Sequence, residues 1–336
     1  MSKTDKFDWH ASESAPRKYP MEIIAGGLSY HDGSGSLYIP DKSTIHHGWG
    51  TGISSHVTSP KYKPLPHKLT ISFFSYTENQ FYHGKFDLPY EKILKLFQDG
   101  YYSPNENKHS TYRKIVTGVA PGGAVSVWLA GIGKTTEVFF GQAEKYAGEW
   151  SSILDNPKYT REEHVRLVIE ESLKTPEALA ALKKDGVPLG LWSRYHSPRY
   201  PWQPLFTGMT VRDGRINVKY FNGELDIELD SLDHPLEKTI AASTRAVPSY
   251  ISFIWEYTQI QGRSYELTFN EPEIFDAFQK LGQGQPPLQL EMRMTKNEEG
   301  KLVFSVWLRN SKEAIPLKKT GIKIYGGYDR KVEGAQ

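Results

Sequence analysis

The chain has no cysteine, which excludes disulfides, iron–sulfur clusters, thiol catalysis and cysteine-based zinc sites. No apolar run approaches the ~20 residues of a membrane-spanning helix, and the opening Met1-Ser2-Lys3-Thr4-Asp5-Lys6 is too polar for a secretory leader. Nor does one charge prevail. The 41 basic and 39 acidic residues are well mixed and leave a net charge of +2, so no electrostatic footprint for nucleic acid or an anionic membrane is present. Partner choice then rests on shape and local chemistry. The short polar start running into Phe7-Asp8-Trp9-His10 is also what removal of a native leader would leave behind.

Aromatic residues are abundant, at 13% of the 336 residues, with 20 Tyr, 15 Phe and 8 Trp. Such side chains favour strands and flat apolar surfaces over helical bundles. The length suits two domains of roughly 150 residues each.

Self-similarity organises the chain. Residues 19–33 (YPMEIIAGGLSYHDG) align without gaps to 200–214 (YPWQPLFTGMTVRDG), an offset of 181 that also pairs Tyr76-Thr77 with Tyr257-Thr258, Ile93 with Ile274 and Phe97-Gln98 with Phe278-Gln279. An offset of 179 pairs Ser126-Val127-Trp128-Leu129 with Ser305-Val306-Trp307-Leu308. Each copy reads as an opening strand, a hairpin turn at Asp32-Gly33 or Asp213-Gly214, further strands, one helix and a closing hairpin. The helices open at Pro89 and at Glu271-Pro272 and end near Gly100 and Gly282. Trp128 and Trp307 are expected at equivalent, buried positions. Residues 160–185, with apolar spacing at Val165, Val168, Ile169 and Leu173, read as helical, broken at Thr175-Pro176 and stopped at Gly186. The expected fold class is α+β: two similar β-rich lobes from a diverged duplication, over 1–155 and 188–330, each with one main helix, joined by a helical connector over 156–187.

Motifs for bond-making chemistry fail on spacing or context. Gly131-Ile132-Gly133-Lys134-Thr135-Thr136 ends like a phosphate-binding loop, but the required first glycine would fall at Trp128 and the following residues read as a strand, so a hairpin turn is predicted. Gly33-Ser34-Gly35-Ser36 sits in a turn and not at a strand-to-helix elbow. Glu224, Asp226, Glu228 and Asp230 alternate onto one strand face, which reads as solvated or as an acidic contact surface. His46 and His47, with His31 and His56 nearby, lack the spacing of a metal motif. No catalytic residue, metal or cofactor is therefore expected, and the chain reads as a binding protein.

The candidate partner-binding residues are His46, His47 and Trp49 in a glycine-rich stretch, Tyr82, and Trp192, Arg194, Tyr195 and Trp202 in an aromatic-proline stretch. Aromatics and Arg anchor interfaces because they bury much area with little rotamer loss. Packing in the core is the competing fate for each of them.

The strings Trp9-His10-Ala11-Ser12, Leu37-Tyr38-Ile39-Pro40, His47-Gly48-Trp49-Gly50, Phe74-Ser75-Tyr76-Thr77-Glu78, Phe86-Asp87-Leu88-Pro89, Val119-Ala120-Pro121-Gly122-Gly123 and Glu137-Val138-Phe139-Phe140-Gly141 together resemble a bacterial family of lipoproteins of unknown function, over residues 9 to about 330. Members of that family are encoded beside lipase effectors of type VI secretion. The resemblance implies a periplasmic immunity protein, held by a lipidated N-terminal cysteine, whose partner is the cognate lipase effector and whose action is to block its active-site entrance. It transfers no catalytic residue. On this expectation the lack of cysteine follows from loss of the lipid-attachment segment. The other binding reading is a periplasmic protein that takes a small ligand or glycan in an aromatic cleft between the lobes.

Overall fold

The computed structural model describes residues 5–54, 60–154, 158–208, 210–229, 242–256, 261–283 and 287–329. The fold is mixed α+β and mostly sheet. Its contacts divide it into two units, residues 1–194 with 222–224, and residues 195–221 with 225–336. Among the described residues no helix is long and apolar enough to cross a membrane.

The first unit contains β1 (Lys6–Asp8), β2 (His10–Ser14), β3 (Met21–Tyr30), β4 (Ser36–Tyr38), β5 (Thr44–Ile45), β6 (Tyr62–Pro64), β7 (Pro66–Ser75), β8 (Gln80–Asp87), α1 (Tyr90–Asp99), β9 (Tyr101–Ser103), β10 (Lys108–Ser110), β11 (Lys114–Ala120), β12 (Ala124–Gly131), β13 (Lys134–Gln142) and β14 (Glu144–Tyr146). Helices α2 (Arg161–Leu173), α3 (Pro176–Asp185) and α4 (Leu191–His196) follow, α4 carrying the boundary between the units. One sheet has the order β2-β11-β12-β13, with β2 parallel to β11; the other has the order β14-β8-β7-β3-β4, with β5 also on β3. Their inner faces meet in a core that includes Trp9, Leu69, Ile71, Phe73, Val125 and Val127, closed by Ile93 and Phe97 of α1. Leu69, Ile71 and Phe73 alternate with the more exposed Lys68, Thr70 and Ser72, as a period of two requires.

Strands β11 and β12 are buried on both faces. A loop over residues 46–54 covers their outer side. The Gly48 N–H donates to Ala15 O at 2.9 Å, Ser14 Oγ donates to Gly48 O at 2.8 Å, and Trp49 stands edge-on to Trp128 at 4.8 Å. Residues 222–224, which belong to this unit, complete the cover: Trp128 Nε1 donates to Asn222 O at 3.0 Å, Asn222 Nδ2 to Glu137 Oε2 at 3.0 Å, and the Glu137 N–H to Glu224 Oε1 at 2.9 Å. These buried polar groups are thus satisfied within the fold.

Helix α2 starts at Thr160, whose hydroxyl accepts from the Glu163 N–H while the Glu163 carboxylate accepts from the Thr160 N–H, the reciprocal arrangement that satisfies two orphan donors. Its Val165, Val168 and Ile169 pack against a cluster holding Phe74, Tyr76 and Phe81. Thr175 caps α3, whose first residue is Pro176, and Gly186 ends it.

The second unit contains β15 (Tyr200–Thr207), β16 (Thr210–Tyr220), β17 (Leu225–Leu229), β18 (Ser243–Arg245), β19 (Pro248–Glu256), β20 (Gln261–Thr268), α5 (Glu271–Leu281), β21 (Leu288–Lys296), β22 (Leu302–Arg309), β23 (Ala314–Pro316) and β24 (Gly321–Asp329). Its sheets have the orders β18-β15-β21-β22-β23 and β17-β16-β19-β20-β24. The core between them includes Trp202, Phe206, Ile251, Phe253, Tyr265, Met292 and Leu308, with Ile274 and Phe278 of α5. Asn270 caps α5 by accepting from the Glu273 N–H.

Several turn expectations meet the structure differently. Asp32-Gly33 forms the β3–β4 turn, with Ser34 held on Asp32 Oδ1, and Ile132-Gly133 forms the β12–β13 turn, followed by a strand as expected. Asp213-Gly214, in contrast, lies inside β16, at a register irregularity between Val211 and Ile216. The extra residues of β16 are absorbed there as a bulge in its pairing with β19. Trp128 is fully buried but Trp307 is only half-buried. The outer face around Trp307 carries charge: Arg293 forms a bidentate pair with buried Glu291, sits 5.5 Å from the Trp307 ring, and is joined by Arg309. Glu224 is buried and does not share a solvated face with Asp226, which accepts from Tyr220 OH at 3.0 Å. Residue 230, the side chain of Glu228, His56 and the window 257–258 lie outside the described residues.

Candidate functional site

Three residues expected to face a partner are core residues. Tyr82 is 1% exposed and donates its hydroxyl to Glu78 Oε1 at 2.7 Å, while Glu78 Oε2 accepts from the Gly122 N–H. That carboxylate ties the β7–β8 turn to the Pro121-Gly122-Gly123 corner. Trp202 is fully buried and donates to Ala246 O, and Trp192 is 2% exposed, edge-on to Tyr19 at 5.5 Å. Their rings serve packing because the strands and helix that carry them turn those positions inward. Tyr195, half-buried in the second unit, donates to Glu271 Oε2 at 2.7 Å and packs on Phe221 and Phe275. Arg194 is exposed at the end of the first unit.

Trp49 pairs with Trp192, and His46 with His47. Trp49 lies 6.2 Å from Trp192, and the two imidazoles stack at 5.1 Å, since a loop frees them from the opposite-face rule of a strand. Burial, then the neighbouring His47 and Lys174, hold His46 below its usual pKa. Only His47 of this group is exposed. Among the described residues no group of three or more acidic or histidine side chains is placed to hold a metal ion.

One Ser–His contact emerges that the sequence did not flag. Ser72 Oγ and His83 Nδ1 are 2.8 Å apart, directly opposite each other in the β7–β8 ladder. The spacing follows from cross-strand register, and both side chains are half-buried on a sheet face.

A cleft of about 650 Å³ opens in the first unit, where β1, the segment before β6, the end of α1 and residues 109–113 converge. In the β1–β6 ladder Lys6 lies opposite Pro64 and Asp8 opposite Tyr62, so these four share a face, while Phe7 and Lys63 take the other and are buried. Phe7 stacks obliquely on Phe97 at 5.1 Å, and both rings are buried in the core. The helix end is pinned there by Thr111 Oγ1 donating to Phe97 O at 2.7 Å. Gly100 sits at φ +59°, and a Cβ on it would fall 2.3 Å from Ser110 O and 2.8 Å from His109 Cε1, so only glycine lets the helix terminus approach β10. Lys6, Lys61, His109 and Arg113 line the cleft with Asp8, which is 3.7 Å from Lys61 and 3.9 Å from His10, while Asp32 interacts with Lys6 and Glu106 with Arg113. Tyr62 is 60% exposed beside Lys61. The basic-aromatic string Lys61-Tyr62-Lys63 was the available sequence signal. Its partners come from distant segments that only folding assembles.

No curated protein and no solved structure matches the chain. Residues 1–190 match the model of a family described as "Protein of unknown function (DUF2931)". That span includes every string on which the resemblance rested, though not its reach to residue 330. Because it covers more than half of the 336 residues, the chain belongs to this DUF2931 family.

Proposed function

We propose that the chain is a non-enzymatic binding protein: a periplasmic, lipid-anchored immunity protein that occludes the active-site entrance of a type VI secretion lipase effector. The observation that carries the binding reading is the open cleft of about 650 Å³, whose cations and exposed Tyr62 are suited to gripping another molecule. The periplasmic, lipid-anchored and immunity parts of the reading rest on the sequence resemblance alone, since the matched family is described as of unknown function. A stable blockade needs roughly 800 Å² from each partner. The test is co-purification with the lipase encoded beside this gene, followed by a lipase assay. Inhibition at stoichiometric protein is expected, and unchanged activity at saturating protein would defeat the reading.

We read the two units as copies of one ancestral lobe. In each, an early strand runs parallel to a strand that follows the helix, β2 with β11 and β15 with β21; in the first unit β9 and β10 come between α1 and β11. That strand forms a hairpin with the next, β11–β12 and β21–β22, and another hairpin precedes the helix, β7–β8 and β19–β20. Ile93 and Phe97 on α1, and Ile274 and Phe278 on α5, are all buried. On this reading the ladders match β3, which pairs with β7, to β16, which pairs with β19. The window 19–33 against 200–214 sets β3 beside β15 instead, and is therefore misregistered.

A further inference from the structure

We propose that β24 is a self-association edge, at which two copies of this chain join their sheets through an antiparallel β24–β24 ladder with its two-fold axis at Ile324. This goes beyond the binding reading above and does not depend on it.

The length of the edge is the first argument. Strands β4, β14, β18 and β23 also end their sheets, and each has three residues. Such brevity keeps unpaired main-chain groups from templating another chain. Strand β24 ends its sheet with nine residues, and every residue over 321–326 is exposed. Its side chains suit pairing, with Ile322 40% exposed, Ile324 47% and Tyr325 43%. Ile322 and Ile324 lie opposite the buried Leu267 and Tyr265 of β20, so they carry the core-facing row past the margin of the core.

Register selects the occupant. The β20–β24 ladder shifts between Arg263 and Ser264, which makes Gly326 the extra residue and 321–325 the regular stretch. A two-fold axis normal to the sheet pairs residues that share a face, so it passes through one residue of this stretch. At Lys323 it would set two ammonium groups directly opposite each other, which is unfavourable. At Ile322 it would leave Ile324 and Tyr325 outside the ladder, and at Tyr325 it would run the centre of the ladder across Gly326. At Ile324, Gly326 falls only at the ladder's end. The two Ile324 side chains then meet, flanked by both Ile322, in one apolar strip, and each Lys323 falls opposite Tyr325 of the second copy. Tyr325 donates its hydroxyl to Glu266 Oε2 at 3.2 Å, so each ammonium meets an aromatic ring backed by a carboxylate. The strand is complementary to itself in shape and in charge. A ladder over 322–326 buries less than the roughly 800 Å² per partner of a standard interface, so the dimer is a weak one, in the micromolar range.

Sedimentation velocity of the full chain from roughly 5 to 500 µM is the test. The weight-average mass is expected to rise with concentration towards twice that of the chain. Ile324→Lys and Ile324→Glu each place like charges across the axis and are each expected to weaken association roughly tenfold or more, whereas an equimolar mixture of the two restores it. Circular dichroism checks that both variants are folded. A chain that stays monomeric over the whole range overturns the proposal. So does association that neither variant weakens, which puts the interface elsewhere, or a mixture no stronger than its components, which moves the axis off Ile324. A monomeric chain whose lipase inhibition is lost in Ile324→Lys gives the edge to the effector and likewise ends the proposal.

Discussion

The Trp9 indole donates its N–H to the carbonyl of Pro64 at 3.2 Å, with the Lys63 ammonium 5.7 Å from the ring. In the second unit Trp202 donates to Ala246 O at 3.0 Å, with the Arg245 guanidinium 5.5 Å from its ring. Both indoles are fully buried. Lys63 and Arg245 are 182 positions apart, as are Pro64 and Ala246. Phenylalanine would keep most of the packing but remove the donor to a buried carbonyl at Ala246 and to a part-buried one at Pro64, so Trp202→Phe and Trp9→Phe are each expected to cost about 1–3 kcal/mol. Urea unfolding measures both. A penalty at only one of them would argue against the equivalence of the two units.

Arg161 joins α2 to the β14-β8-β7-β3-β4 sheet. Its guanidinium lies 5.2–5.6 Å from the rings of Phe81, Phe74 and Trp150, and donates twice to Asn79, to Oδ1 and to the carbonyl, each at 2.7 Å. Lysine retains the charge but not the planar fork. Arg161→Lys is expected to lower stability by about 1–2 kcal/mol, read as a reduced urea midpoint.

Glu22 gives stability a pH dependence. It is buried and accepts from Tyr76 OH at 2.5 Å; burial pushes its carboxyl above the usual 4.5, the Tyr76 hydrogen bond opposes this, and Asp41 adds a further push upward. A carboxyl with a raised folded-state pKa holds its proton more tightly when folded. Its contribution is therefore full below the unfolded value and is lost as pH rises through the folded value. Glu22→Gln should remove that loss, so the variant gains on the unaltered chain between pH 4.5 and pH 7.5. Paired unfolding curves at the two pH values would show no such convergence if Glu22 were silent.

Ser72→Ala tests whether the Ser72–His83 contact is more than ladder geometry. We expect folding to be unchanged, because the pair is half-buried on a sheet face, and the proposed binding makes no use of it. Any hydrolytic activity of the chain that vanished in this variant would reverse the non-enzymatic reading.

Local pattern made several elements legible. The alternation at Leu69, Ile71 and Phe73 marks β7, and the Thr160, Thr175 and Gly186 signals bound α2 and α3 where the structure has them. Lys134 lies in a strand after a two-residue turn, as the failed phosphate-loop spacing implies. The fate of individual aromatics was not legible. Trp192, Arg194 and Tyr195 share one short helix, yet the first is buried, the second exposed and the third half-buried.

What the amino-acid order determined by itself is the exclusion of cysteine chemistry, the strand-rich α+β class and the ends of several helices, because composition, side-chain period and capping act over a few neighbouring residues. Tertiary structure alone decided that Tyr82, Trp192 and Trp202 are interior, that a loop around Trp49 covers Trp128, and that Lys6, Lys61, Tyr62 and Arg113 border one cleft. Those outcomes depend on which distant strands pair and in what register, and shifting a ladder by one residue would turn every side chain on it to the other face.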